Sequence, residues 1–127
     1  MITTFIKIPE HSWGCLLIYD FDELDHDKIW GICKSFGMSE RNINKSLRIL
    51  STYNSGMTVS NKDLRMSAMF IGKATSNSQF WNSIGHECVH LVDAILNYYK
   101  TDCGSENHAY LQGFVFQRIV EEIGVPA

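Results

Sequence analysis

His86-Glu87-Cys88-Val89-His90 is the stretch of this chain whose residue types and spacing can do chemistry. No Pro occurs between Thr75 and Thr101. Apolar side chains recur there at three- and four-residue steps (Phe80, Ile84, Cys88, Leu91, Val92, Ile95), which predicts one helix of about five or six turns. Residues four apart on a helix share a face, with Cβ atoms about 5–6 Å apart. His86 and His90 can therefore offer two imidazole nitrogens to one ion, the first half of a zinc site. Glu87, beside the first His, is placed to hold and deprotonate a water on that ion. The plain alternative is two surface histidines on an amphipathic helix. The mid-helix setting, and a second helical segment opening on a carboxylate, favour the metal.

A catalytic zinc usually takes three protein ligands and leaves one position open. The downstream candidates are Asp102, Cys103, Glu106 and His108. Glu106 is the expected third ligand. It opens a helix that a short loop forces to run antiparallel to the motif helix. His108, two residues on, is about 200° round that helix and points away if Glu106 points in. Cys103 stays open as a thiolate alternative, suited to a structural or redox-sensitive site. Tyr110 shares a face with Glu106 and is a candidate to hydrogen-bond in the site or assist an oxyanion; the alternative is a packed core Tyr. Asp93, three residues after His90, is a candidate to orient a ligand His through its free ring nitrogen, or else a surface carboxylate.

The rest of the chain must position these groups. Residues 2–8 read as a short strand and Trp13 to Phe21 as a second apolar segment able to pair with it across the Pro9-Glu10-His11-Ser12 turn. His11 in that turn reads as a solvated loop residue. The acidic cluster Asp20, Asp22, Glu23, Asp25 and Asp27 lacks the glycine and glutamate of a calcium loop and reads as a helix start. That helix runs to Phe36, burying Leu24, Ile29, Ile32, Cys33 and Phe36, and Gly37 ends it. Ser39 caps the next, to about Leu50. Met57 to Ser60 and Arg65 to Gly72 read as two strands, with Ser76 or Thr75 capping the motif helix. Ser105 caps a last helix to about Ile123, stopped by Gly124-Val125-Pro126. An extended peptide substrate needs backbone partners, and an edge strand supplies them. The strand just before the motif helix is the expected edge, through Arg65, Ser67, Met69 and Ile71.

Composition bounds the function. The 127 residues are one domain by length, with 45% hydrophobic and 20% charged residues and a net charge of −3. No basic cluster marks a nucleic-acid partner. No apolar run approaches the roughly 18 residues of a membrane span. Lys7, Pro9, Glu10 and His11 break the pattern of a signal peptide. Cys15, Cys33, Cys88 and Cys103 form no CxxC pair, so reduced thiols and a cytoplasmic location are expected. No feature bears on oligomeric state.

The motif with Glu106 downstream looks like the gluzincin type of zinc metallopeptidase. The wider run of residues 54–61, 70–76, 79–87 and 106–111 resembles small phage- and prophage-type metallopeptidases of Bacteroides-like gut bacteria. It is distantly similar to the repressor-cleaving peptidases of mobile elements. The resemblance implies an α+β, minimal zincin-like fold: a small, mostly antiparallel sheet packed on an active-site helix and a C-terminal ligand helix. It implies His86, His90 and Glu106 as zinc ligands, Glu87 as the base, and a protein or peptide substrate of the bacterial host or its phage. Two other readings compete. One is a zinc-stabilised binding module without turnover; the other is a metal-free structural protein of a phage particle. Glu87 favours the hydrolase, because a purely structural site closes its fourth position with protein and needs no base.

Overall fold

The computed structural model describes residues 1–101 and 105–124. Alternating side chains bring β1 (Ile2–Ile8) and β2 (Trp13–Tyr19) together as an antiparallel hairpin, from Ile2 opposite Tyr19 to Ile8 opposite Trp13. The turn between them is one short helical turn over Pro9–His11, closed by Ser12 at φ 49°. β3 (Gly56–Asn61) and β4 (Met66–Ile71) form a second antiparallel pair. β4 also lies parallel to β2, from Gly14 opposite Met66 to Ile18 opposite Phe70. The sheet order is therefore β1-β2-β4-β3.

This order corrects one expectation. β4 was expected at an edge; it is an interior strand with a neighbour on either side. Its residues Ser67, Ala68, Met69, Phe70 and Ile71 are all buried. A nearly continuous apolar run is what a strand covered on both faces requires. Arg65 lies before the strand, in a turn at φ 50°, where its carbonyl accepts the Gly14 N–H at 3.1 Å. The edges are β1 and β3.

Helices cover both faces. α3 (Asn77–Tyr98) and α4 (Ser105–Ile123) pack on one side, with Ile84, Cys88, Leu91, Val92, Ile95, Leu111, Val115 and Ile119 meeting Ile6, Ile8, Cys15, Leu17, Met69 and Ile71. α1 (His26–Ser35) and α2 (Glu40–Leu50) cover the other, where Ile29, Cys33, Ile43 and Leu50 meet Ile18, Ala68 and Phe70. The period of two in β4 sends Met69 and Ile71 to one core and Ala68 and Phe70 to the other. The fold is α+β, with the sheet between two helical layers. A polar line runs from β2 through buried Ser67 to β3. Trp13 Nε1–H donates to Ser67 Oγ at 3.0 Å, and Ser67 Oγ lies 2.6 Å from Ser60 Oγ.

Two N-terminal caps follow the sequence signals, whereas Ser105, expected to cap the last helix, is the first residue of α4. Ser39 and Ser76 each accept a backbone N–H, from Asn42 and Gln79. Gly37, at φ 90°, closes α1 in the left-handed conformation that a helix stop needs. The start of α1 departs from expectation. Asp22 and Asp25 form a reciprocal cap around a separate short turn over Glu23–Asp25, and Leu24 on that turn is 91% exposed rather than buried. Val125 and Pro126 of the expected stop signal lie outside the described residues.

Candidate metal centre

α3 carries the site because its buried stripe fixes its rotation. With Ile84, Cys88, Leu91 and Ile95 against the sheet, His86 and His90 must face outward. Their ring centroids are 5.2 Å apart at 72°. The His86 side chain is 70% exposed, so its nitrogens are open to a ligand. Glu87 is the opposite case. It is only 4% exposed, wedged between α3 and β3.

Two residues of β3 hold it there. Thr58 Oγ1–H donates to Glu87 Oε1 at 2.8 Å and also lies 3.4 Å from the Glu87 carbonyl oxygen. Gly56, two residues earlier and so on the same face of β3, clears space for the carboxylate. A Cβ at Gly56 would fall 2.9 Å from Glu87 Cγ and 3.0 Å from Oε2. Oε1 is thus anchored, while Oε2 faces the histidines, 3.9 Å from His86 Nε2. One ligand atom from each of His86, Glu87 and His90 lies within 4.8 Å of the others.

Cys88, inside the motif, is not part of this group. It is buried in the core, and its thiol is pushed up to about 12 by that burial and by the charge of Glu87. Cys15, in the same cluster, is likewise pushed up to about 12 by burial and then by Cys88. Cys15, Cys33 and Cys88 are free thiols.

The structure separates the other expected residues from the pair. Glu106 is exposed and does not join the His86–Glu87–His90 group. The reason is the rotation of α4. Its inward face is His108, Leu111, Val115 and Ile119, which turns Glu106, two residues before His108, outward. His108 Nε2 instead meets Asp93 Oδ1 at 3.0 Å and ties α4 to α3. Asp93 is therefore spent on His108 and is not the orienting partner of His90. Tyr110 is 75% exposed and lines a different cleft, with His11, Leu96 and Phe114. His11 is half-buried rather than solvated: Tyr99 packs edge-on against its ring and donates its hydroxyl to the His11 carbonyl. Asp102 and Cys103 lie outside the described residues.

No family model, curated protein or solved structure matches this chain. The site is therefore judged on its own chemistry. Two accessible imidazoles and an oriented carboxylate, with ligand atoms within 4.8 Å of one another, could hold a single divalent cation. Imidazole nitrogen suits zinc, copper, nickel or iron; carboxylate and water alone would suit magnesium or calcium better.

A cavity of about 660 Å³ opens beside these groups. It is lined by Gly56, Asn82, His86, Glu87 and Gln112 among others. Thr58, Gly56 and Gln112 were not singled out from the sequence. The signal for the first two is the strand period of two, which puts residues 56 and 58 on one face; nothing in the sequence says which helix that face meets.

Proposed function

We propose that this chain is a zinc-dependent peptidase in which Glu87 is the general base. The observation that carries the reading is the asymmetry of the Glu87 carboxylate. A buried acid with one oxygen fixed by Thr58 and the other aimed at two exposed imidazoles has the placement of a base, not of a surface charge. His86 and His90 would hold the cation. When bound, it would supply Lewis acidity, polarising a carbonyl and lowering the pKa of water. Glu87 Oε2 takes the proton of the attacking water and returns it to the leaving amine. Thr58 keeps the carboxylate in one rotamer throughout, so the base is positioned before substrate arrives.

The substrate strand is now β3. It is a sheet edge, it packs against α3, and it carries Thr58 and Gly56 beside Glu87. An extended peptide added to this edge would run past the cavity, with main-chain hydrogen bonds giving affinity. On the resemblance of its sequence, the proposed substrate is a protein of host or phage. No helix among the described residues is long and apolar enough to cross a membrane.

A second reading has its own observation. Glu106 is turned away, so if Glu87 itself ligates, the site is a structural clasp in a zinc-stabilised binding module. Glu87→Gln separates the two. Under the peptidase reading the variant keeps stoichiometric zinc by mass spectrometry and loses cleavage of a mixed peptide library. Loss of zinc together with absence of cleavage by the unaltered chain would favour the clasp.

A further inference from the structure

We infer that Gln112, on α4, supplies the third protein group to the cation held by His86 and His90. This rests on the metal reading above and goes beyond it, because a neutral amide oxygen takes the place expected for a carboxylate.

The register of the two helices places it. His108 meets Asp93 at 3.0 Å, and the Phe116 ring meets Trp81 with centroids 5.7 Å apart. Gln112 is one turn from His108 and one turn from Phe116. The point midway between Trp81 and Asp93 on α3 is Glu87. α4 therefore delivers Gln112 at the level of the motif, where it lines one cavity with His86 and Glu87.

The other polar side chains of that cavity are committed or, like Ser83, lie on α3 itself. Asn54 is held by Thr75 through both ends of its amide, and Ser55 Oγ–H donates to the Thr52 carbonyl. Asn82 is on α3 itself, a turn beyond His86 and two turns from His90. Gln112 lies on the neighbouring helix, across the cavity lining from His86. It makes no side-chain hydrogen bond among the described residues.

The chemistry has a consequence. Two imidazoles and an amide oxygen leave the cation its full charge, apart from what Glu87 offsets. Such a site binds more weakly than one closed by a carboxylate, and it makes a stronger Lewis acid.

The test is a titration of the full chain with Zn²⁺ by calorimetry, and with Co²⁺ by visible absorption. Gln112→Leu should weaken both by about tenfold or more, the scale on which groups around a metal act, and should change the cobalt spectrum. Gln112→Glu, nearly the same shape, should tighten both by a similar factor. The acidic variant also keeps the test sound if the leucine variant does not fold. Wild-type affinity in both variants, with an unchanged cobalt spectrum, would overturn the inference and leave the metal reading standing. Failure of the unaltered chain to bind either ion would overturn both.

Discussion

Replacing Thr58 with Val should show how much of Glu87's position depends on one hydroxyl. Valine keeps the branched shape and removes the donor 2.8 Å from Oε1. The carboxylate is 4% exposed, so water cannot easily take the lost place. A hydrogen bond to a charged group contributes about 1.5–3 kcal/mol, and an unmet buried acceptor costs a comparable amount. The expected loss of stability is about 2 kcal/mol, a fall in Tm of roughly 6–10 °C for a chain of this size. Urea denaturation with a chelator present measures it without interference from metal. Thr58→Ser, which keeps the hydroxyl, should lose less. The decisive comparison is a cycle with Glu87→Met. In that background Thr58→Val should cost almost nothing, giving a coupling near 2 kcal/mol. A cost below about 0.5 kcal/mol in the native background, or an equal cost in both, would refute the claim that Thr58 holds the carboxylate.

Three further outcomes follow from the same geometry. Gly56→Ala puts a methyl 2.9 Å from Glu87 Cγ and must push the side chain aside; a shift approaching 1 Å should cut cleavage of a library-selected peptide by about 100-fold, with zinc content by mass spectrometry unchanged. His86→Ala and His90→Ala should each abolish stoichiometric zinc, whereas Glu106→Gln should leave the calorimetric affinity as it was, because that carboxylate lies outside the ligand group. The thiol of Cys15 is pushed from 9.0 up to about 12 by burial. A folded-state value above the unfolded one means the native chain holds the proton longer, so its stabilising share is complete below about pH 9 and is lost as pH rises toward 12. Urea midpoints at pH 8 and pH 10.5 should fall accordingly, with a smaller fall in Cys15→Ala, and a thiol reagent at pH 8 should label Cys15, Cys33 and Cys88 only after unfolding.

The long periodic stretch was legible from residues alone. The Phe80–Ile95 spacing, the Ser76 cap and the Gly37 stop are local signals, and each appears where it was read. Most of what the structure changes concerns relations that spacing does not encode. Glu106 and His108 are equally good ligands by type, and only the rotation of α4 decides between facing in and facing out. The apolar run of residues 66–71 was assigned to an edge because it precedes α3, although unbroken apolarity is the mark of a strand covered on both faces. Leu24 was counted into a helix because its period fitted; the Asp22–Asp25 cap makes a separate turn first. Gln112 carries no signal of its own, because an amide is an unusual metal ligand and its place in the cavity depends on two helices meeting in register.

The parallel pairing of β2 with β4 also bears on how the chain is made. β2 leaves the ribosome long before its partner, since both helices of one layer and all of β3 intervene. Until residues 66–71 emerge, the nascent hairpin exposes the unpaired edge of an apolar strand, the kind of template that recruits other chains. Slow synthesis across residues 20–66 would lengthen that exposure, and a holding factor would shield it.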